Sequence, residues 1–256
     1  MYNRILTAII FLTAFSSKAF AQDFLTDAEK KASKRDTKTF SLNSLDGKKQ
    51  KVHIMPDYPN HVLRISCLKA TISINEFWGV PAEMHLMNKK FLKIVYEVRS
   101  GSNEDSQNTV LLCVNKGKLF ESLSINSLSS YDMGDQHGSY SIRLSFKNDY
   151  KNKVTLIAYI YDDAYSKFKP KTNYNYNNQT KLNFDYDNNV FYNVKKDIYD
   201  NYMVYNFKDD KEHSRSIKGN YPVIILEDDK YFFIENEWYE AGNDKHLIQY
   251  SSHTGK

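Results

Sequence analysis

The chain lacks the short motifs that announce a particular chemistry. It holds no G-x-S-x-G elbow, no H-E-x-x-H pair, no phosphate-binding glycine loop and no C-x-x-C. The local geometries those motifs supply for acyl transfer, zinc hydrolysis, nucleotide binding and thiol exchange are therefore missing. Its seven histidines are scattered, and none lies three or four residues from another. That removes the simplest spacing for two imidazoles on one metal. No stretch of about 18 apolar residues occurs, so no helix is expected to span a bilayer. Charge is nearly balanced, at a formal +4 with no basic stripe, which is not the profile of a nucleic-acid binder. The chain has only two cysteines, Cys67 and Cys113.

What is present begins with a leader. Met1 to Arg4 is a short basic start, and Ile5 to Phe15 is an apolar core. Ala19-Phe-Ala21 is a small-residue cleavage site, so residues 1–21 read as a secretory signal peptide and the mature chain is expected to start at Gln22. No cysteine stands there to carry a lipid. The expectation is a periplasmic or secreted protein. Residues 22–38 read as a short helix or a flexible lead, opened by the capping box Thr26-Asp-Ala-Glu29.

Residues 39–256 read as one β-rich domain, a β-sandwich or two packed sheets built from antiparallel meanders. Asp46-Gly47 sits between two alternating runs and marks a hairpin, because both residues accept positive φ. Met55–Asn60 carries two prolines and reads as a loop. Phe91–Val98, Thr109–Val114, Leu119–Ile125, Ser139–Phe146 and Val154–Tyr161 read as consecutive strands. Tyr221–Ile234 reads as a closing hairpin, and Lys208–Arg215 as a charged surface loop. Aromatic residues supply the bulk for a core: 20 Tyr and 15 Phe.

The unusual stretch lies between Asn173 and Asn206, where ten Asn and seven Tyr fall. Asparagine is a poor strand former and a good turn former, so short strands with long turns are expected there. A possible subdomain seam falls near residues 165–178, which include Pro170. Tyr174 and Tyr176, alternating with Asn175 and Asn177, have little apolar sequence around them to pack against. They are the candidate ligand-binding residues, since tyrosine rings stack on sugars and on protein surfaces while amides hydrogen-bond.

Asp185-Tyr-Asp-Asn-Asn189 begins like a calcium loop, but Val190 and Lys196 stand where glycine and glutamate are required. No metal ligand, cofactor or catalytic residue is assigned. Two readings of the cysteines stand open: a Cys67–Cys113 disulfide, worth roughly 4 kcal/mol by chain entropy, or two buried thiols. The functional expectation is a non-catalytic binding module for a glycan or a protein. The alternatives are a secreted hydrolase whose acids converge only in the fold, or a structural, inhibitor-like protein. A deep cleft with two or more converging ionisable groups marks the hydrolase, and a convex or flat surface with exposed aromatics marks the binder.

The leader generates the first prediction. Intact-mass measurement of the exported fraction will give a chain lacking residues 1–21. A full-length product confined to the cytoplasm contradicts it.

Overall fold

A helix over residues 27–35, α1, is followed by strands. We describe the protein from a computed structural model in which the described residues are 27–75, 77–78, 82–98, 101–148, 153–198, 201–206, 211–241 and 246–249. Residues 1–21, where a leader and its cleavage site are expected, and Thr26 of the expected capping box lie outside them. None of the described helices is long and apolar enough to cross a membrane.

The strands form three sheets. The first is a four-stranded meander of β1 (Lys38–Asn43), β2 (Lys49–Asp57), β3 (Val62–Cys67) and β4 (Ala70–Ile74). Gly47, with φ at 89°, turns β1 into β2 as the Asp-Gly pair requires. The second is an eight-stranded meander: β5 (Glu83–Met87), β6 (Phe91–Glu97), β7 (Glu104–Asn115), β8 (Lys118–Asp132), β9 (Gln136–Asn148), β10 (Val154–Ser166), β11 (Tyr174–Asp185) and β12 (Val190–Tyr192). Each strand pairs antiparallel with the next. The third sheet has the order β13 (Val194–Ile198), β16 (Gly219–Leu226), β17 (Asp229–Ile234), β18 (Glu237–Ala241), β19 (His246–Gln249), β14 (Asn201–Asn206) and β15 (Lys211–Ser216). Here β14 and β19 pair in parallel.

The eight-stranded sheet is the middle layer. Period-two alternation lets β6 and β7 serve both faces. Leu92, Ile94, Val110 and Leu112 face the first sheet and meet Val52, Ile54, Leu63 and Ile65. Leu111, Leu123, Leu156 and Ile160 face the third sheet and meet Ile224, Leu226, Phe233 and Trp238. Trp238 is fully buried, and its indole N–H donates to the Glu121 carbonyl at 3.1 Å. That bond satisfies the one polar atom of the ring at the centre of an apolar layer. Truncating a buried side chain of this kind costs about 3–5 kcal/mol. The third sheet also has an apolar cluster of its own, which includes Val204, Val223, Phe232, Tyr239 and Leu247.

The mainly β, antiparallel reading therefore holds, and several boundaries move. Pro56 lies inside β2, opposite Leu63. The β1 pairing ends at Ile54, so the missing N–H of Pro56 costs no ladder bond on that side. The Tyr/Asn-rich stretch opens with a long strand, β11, paired with β10 from Tyr174 to Asn183. Pairing against an established neighbour overrides the weak strand propensity of asparagine. Residues 165–178 are thus the tip of one hairpin within one sheet. Residues 211–215 of the charged loop belong to strand β15.

Cys67 and Cys113 are both free and buried. Cys67 belongs to the layer beneath the first sheet, and Cys113 to the layer beneath the third. The body of the middle sheet stands between them, and no bridge joins them in this structure. Ser122 donates a hydrogen bond to the Cys113 sulfur at 3.0 Å, and burial pushes that thiol up to about 12. Thiol titration of the unfolded protein without reductant will find both. Finding none would mean a different strand arrangement.

Candidate functional site

The site arises from a mismatch in strand length. β8, β9, β10 and β11 are long, whereas β16, β17 and β18 of the covering sheet are shorter. Along β10, residues 154, 156, 158 and 160 are buried against the third sheet. Asp162 is the next side chain on the same face, and there the cover ends at the Glu227-Asp228 turn. The turn is tight, with Glu227 at a φ of 56° and Leu226 opposite Asp229. Beyond it the inner face of the middle sheet lies open.

Alternation fixes which side chains that open face presents. On β11, Leu182 and Phe184 are buried inward, so Asn178, Tyr176 and Tyr174 share their face. On β9, Ile142 and Leu144 are inward and Tyr140 follows; on β8, Ser129 and Tyr131 stand opposite Tyr140 and Gly138. The Tyr131 ring lies across Gly138: a Cβ there would come within 2.5 Å of a ring carbon. Glycine at 138 is what lets Tyr131 lie down over its own sheet.

The side chains interlock through their oxygens. The Tyr174 hydroxyl donates to Asp162 at 3.0 and 3.2 Å. The Asn178 amide donates to Glu227 at 2.7 Å, and the Tyr176 hydroxyl lies beside the same carboxylate. The Tyr140 hydroxyl faces the Asp229 carboxylate without closing a bond of ordinary geometry. Between these groups lies a cavity of about 430 Å³, lined by Asp162, Glu227, Asp228, Asp229, Glu240, Tyr140 and Tyr231 among others. Among the described residues its lining holds no lysine and no arginine.

Burial and mutual repulsion shape the acids. Asp229 is pushed above the usual carboxylate range, chiefly by burial and further by Asp228 and Asp162, while Tyr140 pulls in the opposite direction. Glu240 is also raised, by burial and then by Asp229. Burial raises the phenols of Tyr140 and Tyr231 as well, and the nearby carboxylates add to it. At neutral pH these phenols are neutral donors among acceptors.

Of the residues singled out from sequence, Tyr174 and Tyr176 border this groove, at 49% and 43% exposure. Asn175 and Asn177 lie on the opposite face, where the Asn177 amide donates to Asn175 at 3.3 Å. Tyr131, Tyr140, Glu227, Asp229 and Glu240 were not legible as site residues, because they come from β8, β9, β17, β18 and the β16–β17 turn. The half calcium motif is the β11–β12 turn: Asp185 accepts from the amides of Asp187 and Asn188 and pairs with Lys195 at 2.8 Å. Among the described residues no three His, Cys, Asp or Glu side chains are arranged to hold a metal ion. No family model matches the chain, and neither a curated protein nor a solved structure matches it.

The raised acids give a pH prediction. A carboxyl whose folded pKa lies above its unfolded value stabilises the fold below the unfolded value, and that contribution is lost as pH rises through the folded one. Asp229→Asn keeps an acceptor for Tyr140 and removes the charge. Its melting temperature will exceed that of the wild type at neutral pH. The gap will grow as pH rises from about 4, the ordinary carboxylate value, and then level off. A variant that is less stable at neutral pH by a pH-independent margin contradicts the account.

Proposed function

We propose that the protein is an exported, non-catalytic binding module whose ligand is a glycan seated in the tyrosine and carboxylate groove. The observation that supports this most is that the exposed Tyr174 and Tyr176 lie against Asp162 and Glu227, two acids that line the cavity. Ring faces suit the apolar faces of sugars, and carboxylates accept hydroxyl donors. A lining without basic residues favours sugars that carry an amino group over acidic ones. The leader supports export.

One observation favours a second reading, a glycoside hydrolase. Asp229 and Glu240 are held towards the protonated form in the same cavity as Asp162. Glycoside hydrolysis uses two carboxyl groups that face each other across a cleft, the acid of the pair having a raised pKa.

Calorimetric titration with amino-sugar oligomers tests both. Binding that Tyr174→Ala with Tyr176→Ala weakens at least tenfold, about 1.4 kcal/mol, with the melting temperature little changed, supports the module. Release of reducing ends that Asp229→Asn abolishes supports the hydrolase instead. A wild type that binds none of these oligomers, or a double variant that loses many degrees of melting temperature, contradicts the proposed seat.

A further inference from the structure

We infer that a second copy of this chain pairs with the free edge of β11, joining two middle sheets into one across a two-fold axis. On one side β11 is bonded to β10 along almost its whole length. On the other side β12 covers only Asn183, Phe184 and Asp185. No described strand pairs with that edge over residues 174–182. The amide of Gln179 on that edge donates to the Asn178 side chain at 2.7 Å, and the other outward amides and carbonyls form a ready template for another strand.

Five other outer strands among the described residues are blunted in recognisable ways. β13 carries Lys195, Lys196 and Asp197, β15 carries Lys211, Glu212 and Arg215, and β5 carries Glu83 and His85. β1 opens on Lys38, and β4 is short and lies against β8. Charge on an edge strand discourages pairing with another molecule. The stretch from Tyr174 to Thr180 has no charge, no proline and no bulge against β10.

Composition selects the occupant. An uncharged run of Asn, Gln, Tyr and Thr offers nothing to attract a charged partner strand, but it complements itself. Asparagine and glutamine side chains stack in ladders when like strands meet, and tyrosine pairs well across strands. Antiparallel pairing centred on Asn177 sets Tyr176 opposite Asn178 of the second copy and Asn175 opposite Gln179. Lys181 then meets Asn173, so no like charges are opposed. An overlap of residues 174–180 also stops short of the edge that β12 occupies. Residues whose positions add to an even number share a face, so the two grooves would open on the same side and adjoin at Tyr174 and Tyr176.

Sedimentation of the mature protein at micromolar concentration tests this by mass, independently of any ligand. The expected result is two copies for the wild type and one for Asn177→Lys, which puts like charges together on the axis. Asn177→Cys, a smaller change, is expected to cross-link two copies on mild oxidation, since Cys67 and Cys113 are buried. A wild type that stays a single copy overturns the inference. So does a dimer that Asn177→Lys leaves intact, or a failure of Asn177→Cys to cross-link.

Discussion

Everything distinctive about this protein depends on the apolar layer between the middle and third sheets, and on where that layer stops. Leu156, Ala158 and Ile160 of β10 are fully buried against residues such as Leu226, Phe233 and Trp238. A leucine or isoleucine buried in this way contributes about 1.5–3 kcal/mol by leaving water. The hydrogen bond from Trp238 to Glu121 fixes the third sheet over that layer. The cover ends in the Glu227-Asp228 turn, and the long strands continue past it. Backbone pairing carries β8 to β11 outward after apolar burial has ended.

This division of labour explains the chemistry of the groove. A face that no sheet covers has no use for leucine or isoleucine, and the same alternating positions pass to Tyr, Asp and Asn. Carboxylates from two sheets then meet at the seam without a basic partner in the lining. Two of them respond by shifting towards the protonated form. Such groups cost stability when ionised, and sites that spend stability this way are commonly functional.

The fold was legible in the sequence wherever alternation was apolar. The strands from β6 to β10, the Asp-Gly hairpin and the β16–β17 hairpin all carry Val, Ile, Leu or Phe, alternating in most of them and as unbroken runs in β7 and the β16–β17 hairpin. The reading failed where strands outlast their core. The strand expected over Val154–Tyr161 runs on to Ser166, since Asp162 and Asp163 both pair with β9 and β11. β11 was broken into short pieces because asparagine disfavours strands. Half of the candidate site was visible, since Tyr174 and Tyr176 had nothing nearby to pack against. The other half was not, because Tyr140, Glu227, Asp229 and Glu240 are unremarkable in their own segments and meet only through sheet register and layer order.

The central claim is that the strands stay paired beyond the apolar layer and so build the groove. Amide hydrogen exchange across Tyr159–Tyr165 tests it most directly. The account predicts slow exchange there, because this part of β10 lies between β9 and β11. Exchange at unstructured rates from Tyr161 onward would contradict it, and would return the whole tip to an ordinary loop.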